Sequence, residues 1–182
     1  DTGDGRQALT ANTTPDAVTL QNALREMVTA GCRVVALEVS SQALKLGRVS
    51  GTVFDTCIFT NLSPDHIGPS EHPDFADYAA CKRKLFTDYP TRAVLCNTDD
   101  PFSATLLADT HAPLCLRCAT ASPADWTVRE IEPYRLGTEL GSRFSVLRAG
   151  GEPISCRLPL IGSGNVSNAL LAITCATERF GV

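Results

Sequence analysis

Apolar residues along this chain follow two spacings. Leu20, Leu24, Met27 and Val28 fall three and four apart, the repeat of one helical face. Thr14-Pro15 before them offers a hydroxyl N-cap with proline at the first helical position, and Gly31 after them supplies a stop. Residues 33–39 form a compact apolar run that reads as a buried parallel strand, and residues 54–61 read as a second. A helix is predicted over 73–86 and a third strand over 93–96, running into Asn97-Thr98-Asp99-Asp100; Pro101 then opens a short helix. Beyond about residue 111 the texture changes. Residues 126–136, 143–148 and 154–160 alternate apolar with polar and are broken by Gly137, Gly141 and Gly150-Gly151, the pattern of antiparallel hairpins. A last helix is predicted over about 166–180, after Gly162-Ser163-Gly164. Together these predict an α/β fold: a mostly parallel sheet flanked by helices, with an appended antiparallel β region. No linker or repeat divides the chain, which reads as one domain over 1–182.

Composition narrows the function classes. A net charge of −4 without a Lys/Arg cluster gives no footprint for nucleic acid. No apolar run approaches the ~18–20 residues of a membrane span, so no membrane insertion is expected. The chain opens on Asp1 rather than Met, which reads as a cut or processed terminus. Eight cysteines are spread evenly, mostly inside apolar segments. Cys115-x-x-Cys118 lacks a second pair or nearby histidines at zinc-ligand spacing, and Cys115 falls in an alternating strand-like stretch. Buried, reduced structural thiols and a cytoplasmic protein are the expectation.

Three features could carry chemistry. Ligands of open α/β sheets sit beyond the carboxyl ends of the strands. Glu38 ends the first predicted strand and His66 follows the second, so a carboxylate and an imidazole could share one rim as a Mg²⁺ and phosphate site. A solvated rim carboxylate and a loop histidine are the plain alternatives. Lys82 occupies the apolar stripe of its predicted helix with Phe75, Tyr78, Ala79, Leu85 and Phe86, while Arg83 and Lys84 point elsewhere. Burial would disfavour its charged form and free an amine that can add CO₂ to become a carbamate, unless the ammonium simply snorkels out. Finally, Asn12-Thr13-Thr14-Pro15 sets two hydroxyls at a helix start, which attracts anions or merely caps the helix.

These segments occur together in one known order. The blocks Asn12-Thr13-Thr14-Pro15, Leu37-Glu38-Val39-Ser40-Ser41 with Gly47-Arg48-Val49, and Thr60-Asn61-Leu62-Ser63 with Asp65-His66 come first. Tyr78-Ala79-Ala80-Cys81-Lys82, Asn97-Thr98-Asp99-Asp100 and Asn165-Val166-Ser167-Asn168-Ala169-Leu170 follow. The series resembles the central, ATP-handling domain of the Mur ligases, most like the UDP-N-acetylmuramoyl-tripeptide synthetase (MurE) type. The stretch from His66 to Pro73 is similar to a subset that carries an insertion there.

The resemblance implies an ATP-dependent acid–amino-acid ligase of peptidoglycan synthesis. ATP phosphorylates the terminal carboxylate of a UDP-N-acetylmuramoyl dipeptide, and the amine of a third amino acid displaces the phosphate, with Mg²⁺ offsetting the charge. By motif position, Glu38 and His66 resemble the metal ligands, and Lys82 the lysine that becomes a carbamate and joins them. Thr13, Thr14, Ser40 and Arg48 resemble residues that hold the UDP-muramoyl peptide, and Asn168 and Asn165 the adenine-side asparagines. The family's phosphate loop, Gly-x-x-Gly-Lys-[Ser/Thr], is expected upstream of residue 1, as are flanking amino- and carboxyl-terminal domains outside the chain. The isolated chain is therefore expected to be inactive. Gln42 stands where many such sequences carry His, and Gly164 where an aromatic is common, which blurs the subtype. Folylpolyglutamate or cyanophycin synthetases, and a non-catalytic homologue that binds nucleotide-sugar peptides, are the alternatives.

Overall fold

Asp16 starts the first helix. In the computed structural model, which describes residues 12–65, 67–69 and 71–182, helix α1 spans Ala17–Thr29. Asp16 Oδ1 accepts from the backbone N–H of Val18 at 3.1 Å and Thr19 at 3.0 Å. This corrects the expected Thr14 cap. A carboxylate two residues on satisfies the free amides, so the helix end carries its own anion. Gly31 ends the helix as expected, with φ of +88°.

The chain divides into two units, one of 1–53 with 64–89 and the other of 54–63 with 90–182. In the first unit α1 is followed by an extended segment, the short helix α2 (Ser41–Lys45) and helix α3 (Phe75–Thr87). The predicted strand over 33–39 is corrected here: the segment joins no ladder among the described residues. A strand is defined by its neighbours, and Val34 and Val35 lie exposed without one. Helix α3 is capped by Asp74, whose Oδ1 accepts from Asp77 N–H at 2.8 Å. Tyr78, Cys81 and Phe86 are its buried face.

The second unit is built on one sheet of six strands in sequence order. Strands β1 (Phe54–Phe59), β2 (Thr91–Asn97), β3 (Leu114–Ala119) and β4 (Trp126–Leu136) pair in parallel. Helix α4 (Phe102–Asp109) connects β2 to β3. Strands β5 (Glu139–Arg148) and β6 (Ile154–Leu158) then add antiparallel, as the alternating pattern predicted, although Gly141, expected as a break, lies inside β5. Between β4 and β5 the register slips at Arg129–Glu132, where Glu130 takes φ of +56° in a bulge. Helix α5 (Ser163–Cys175), extended by a π-helical turn at Ala176–Phe180, buries Val166, Leu170 and Leu171 against Leu95, Trp126, Phe144 and Val146 of the sheet. Each such side chain contributes roughly 1.5–3 kcal/mol by leaving water. The Trp126 indole satisfies its N–H by donating to Glu178 Oε1 at 3.0 Å.

All eight thiols are free, and burial pushes Cys57 and Cys118 up to about 11 and Cys96 to about 12, as inert core thiols require. Cys115 departs from expectation and is exposed, because β3 turns it to the open face while Cys118 turns in. No helix among the described residues is long and apolar enough to cross a membrane.

Candidate functional site

Thr14 gathers the predicted peptide-holding residues of the first unit. Its side chain is fully buried, and its hydroxyl donates to the carbonyl oxygen of Glu38 at 2.8 Å. The same oxygen accepts from Ser40 N–H at 3.0 Å, and the Thr14 carbonyl accepts from Arg48 Nη1 at 3.2 Å. Ser40 in turn caps α2, its Oγ accepting from Ala43 N–H at 3.2 Å. Thr14, Glu38, Ser40 and Arg48 thus form one hydrogen-bonded cluster. Thr13 stands exposed beside it. Arg48 is half-buried and spends one of its five N–H groups on Thr14, which leaves others for a ligand.

Lys82 sits as the stripe required. It is half-buried on α3, while Arg83 and Lys84 are exposed. Its ammonium lies 5.3 Å from the centre of the Tyr78 ring. Burial lowers its pKa, and the carboxylates of Glu38 and Asp65 oppose that shift. Glu38 and Lys82 therefore act on each other within this unit, with the Glu38 side chain exposed. His66 lies outside the described residues.

The two asparagines belong to the second unit. Asn165 and Asn168 are both exposed on α5, and Asn165 Nδ2 donates to the Ile161 carbonyl at 2.8 Å. The Asn97-Thr98-Asp99-Asp100 block stitches the carboxyl ends of the parallel strands. Asn97 Nδ2 donates to the Thr60 carbonyl at 2.8 Å, and Asp100 Oδ2 accepts from Leu62 N–H at 2.6 Å. Asp99 accepts from the backbone of Thr120 and Ala121 and from the Thr120 and Ser122 hydroxyls. Desolvation raises the Asp99 pKa, but these bonds outweigh it and hold the carboxyl below its ordinary value. An open groove of about 520 Å³ near Thr120, Arg129 and Leu147 contains none of the predicted site residues.

One group escaped the sequence reading altogether. His72 is fully buried, with Nδ1 at 2.7 Å from Asp77 Oδ2 and Nε2 at 2.9 Å from Ser41 Oγ. His72, Asp77 and Cys81 bring ligand-type atoms within 4.8 Å of one another. Both ring nitrogens are already bonded, however, and the Lys45 ammonium sits 2.9 Å from Asp77 Oδ2. That cation and those bonds make the cluster a polar knot, not a cation site. The available signal was Glu71-His72-Pro73-Asp74, a histidine just before a helix cap with an acid one turn on.

Comparison with known proteins identifies the family. The Mur ligase middle domain model matches residues 3–176. The UDP-N-acetylmuramoyl-L-alanyl-D-glutamate–2,6-diaminopimelate ligase of Streptomyces coelicolor is 42% identical over 162 residues, covering 88% of this chain and 31% of the relative. The UDP-N-acetylmuramyl-tripeptide synthetase of Leifsonia xyli is 36% identical over 176 residues, covering 96% and 33%. A solved UDP-N-acetylmuramoyl-L-alanyl-D-glutamate–2,6-diaminopimelate ligase superposes with a TM-score of 0.82 at 30% identity, over 96% of this chain and 35% of that one. The chain spans about a third of the length of these relatives. With a family model covering nearly its whole length and relatives of one enzyme type across it, the chain belongs to the Mur ligase family and carries its middle domain.

Proposed function

We propose that this chain is the middle domain of an ATP-dependent ligase that adds the third amino acid to a UDP-N-acetylmuramoyl dipeptide in peptidoglycan synthesis. The observation that carries the reading is Lys82, a lysine half-buried on α3 and lowered in pKa by that burial, with the carboxylates of Glu38 and Asp65 acting on it. A lysine there has its neutral amine within reach. It adds CO₂ and sheds a proton to become a carbamate, an anionic oxygen donor.

The chain's own residues then divide the work. Arg48, with Thr13, Thr14 and Ser40, holds an anionic part of the muramoyl peptide, using the guanidinium donors that Thr14 leaves free. Asn168 and Asn165 face the adenine of ATP from α5. The Glu38 carboxylate and a Lys82 carbamate offer the hard oxygen donors that Mg²⁺ takes, and with the imidazole nitrogen of His66 they would hold it. Bound there, Mg²⁺ would offset the charge of phosphate and carboxylate as they meet. The peptide's carboxylate takes the terminal phosphoryl group of ATP. The amine of the incoming amino acid then attacks the acyl phosphate carbon, and phosphate leaves with the bonding pair.

On this reading residues 1–182 are a single domain of a longer cytoplasmic enzyme. No Gly-x-x-Gly-Lys-[Ser/Thr] occurs among these residues, so the isolated chain is expected to bind Mg·ATP weakly and not to turn over. The test is ligation by the full-length protein. UDP-N-acetylmuramoyl-L-alanyl-D-glutamate, ATP and a set of candidate amino acids should yield a UDP-linked tripeptide and one phosphate per amide. Failure to form the tripeptide with any of them would overturn the reading.

A further inference from the structure

The buried imidazole of His72 ties together two elements that the proposed site uses separately. The turn that carries it is closed by its own backbone: Gly68 N–H donates to the His72 carbonyl at 2.9 Å, and Glu71 N–H to the Gly68 carbonyl at 3.1 Å. The ring is thereby presented inward, where it has no exposed surface. An ionised Asp77 can only accept, so Nδ1 carries a proton and donates to it, while Nε2 bonds the Ser41 hydroxyl. Asp77 lies in the first turn of α3. Ser41 is the first residue of α2, directly after Ser40. The ring also packs 5.3 Å from the Tyr78 ring, over which the Lys82 ammonium stands. One side chain therefore touches the head of α2 and the helix of Lys82.

We propose that His72 is a positioning residue of the ligase site: through Ser41 it fixes the head of α2, and so the backbone and hydroxyl of Ser40, against the helix that bears Lys82. The inference rests on the functional reading above for what Ser40 and Lys82 do. It does not rest on that reading for the geometry. Ser40 is held from one side by Thr14 and its neighbour Ser41 from the other by His72. Two buried polar anchors on adjacent residues hold the turn in one conformation, because releasing either leaves an unpaired buried group. Lys45, from the last turn of α2, closes the same knot by bonding Asp77 at 2.9 Å and the Glu71 carbonyl at 3.2 Å.

Two amide replacements separate the bonds. Asn at 72 reaches the position of Nδ1 and keeps the Asp77 bond, whereas Gln reaches that of Nε2 and keeps the Ser41 bond. A role in packing alone predicts equal losses in both, since each removes the ring. A positioning role predicts a split. In this chain, amide exchange of Ala43 and Leu44 should quicken by about tenfold in His72→Asn and recover toward the wild type in His72→Gln. In the full-length ligase, His72→Asn should raise the KM for the muramoyl dipeptide by about tenfold and leave the KM for ATP within about twofold, with His72→Gln recovering most of the difference. Equal exchange rates in the two variants would overturn the positioning role whatever the enzyme's reaction. The expected exchange split in a full-length protein that forms no tripeptide would instead sink the functional reading and leave His72 as the anchor of α2.

Discussion

The hydroxyl of Thr14 donates to the carbonyl of Glu38 at 2.8 Å across 24 residues of chain. Two blocks that look unrelated in sequence are thereby one object, because the same hydroxyl oxygen also accepts from Ser40 N–H. Thr14→Val keeps the shape and removes the hydroxyl, which leaves a part-buried carbonyl and amide without this partner. Unfolding by denaturant should register a loss of about 1–3 kcal/mol. A variant as stable as the wild type would mean that Thr14 does not organise this turn.

Gly141 is required by close approach. A Cβ there would meet the Leu158 carbonyl of β6 and the Tyr134 ring of β4, and a backbone oxygen between two strands has little room to move. Gly141→Ala should therefore destabilise the second unit by about 1–3 kcal/mol, read as a lower unfolding midpoint. Gly137, which takes positive φ but has open space around it, should lose less on the same substitution, chiefly through backbone strain.

The contrast between these sites and the rest marks how far sequence reaches. Strands β1 and β2, the hairpins of β4 to β6 and the stripe of α3 follow from periodicity and formed where the pattern put them, unlike the strand predicted over 33–39. Lys82 was legible for the same reason, since a charge on an apolar stripe breaks its pattern. The cap of α1 was not, because Thr14 and Asp16 both suit the position and the contest is settled by a tertiary bond from Thr14 to Glu38. Residues 33–39 carry the composition of a strand, but a ladder depends on neighbours that composition does not name. His72 was missed because its partners, Ser41 and Asp77, stand 31 residues before it and 5 after it.

Acid should weaken the fold through its bonded carboxylates. The Arg179 guanidinium holds Asp55 below the ordinary carboxylate value, and Arg117 does the same for Asp125. The bonds from residues 120–122 lower Asp99 against its desolvation. For groups depressed in the folded state, the unfolded chain binds more protons in acid, so stability is present above the ordinary value and is lost as pH falls through the folded ones. The unfolding midpoint should be flat from pH 7 to about 5 and drop below about 4. Asp99→Asn should start lower at neutral pH and fall less steeply in acid. Superimposable acid slopes would remove Asp99 from the account.

Arg48 separates the two substrate poles. In the full-length enzyme, Arg48→Ala should raise the KM for the muramoyl dipeptide by roughly tenfold to a hundredfold, the loss of a charge-assisted contact. The KM for ATP should stay nearly constant. An unchanged peptide KM would take Arg48 out of the peptide site.

Lys82 and Lys84 stand two residues apart on α3, one half-buried beside Tyr78 and the other exposed. Ligation rates of full-length Lys82→Ala and Lys84→Ala, measured side by side with the wild type, test the central assignment most directly. Lys82→Ala should lose roughly a hundredfold or more while remaining folded, and short-chain carboxylic acids should restore part of the rate by filling the vacated oxygen positions. Lys84→Ala should stay within about twofold of the wild type. Full activity in Lys82→Ala, or a loss confined to Lys84→Ala, would contradict the assignment of Lys82 and, with it, the metal-holding group of Glu38 and His66.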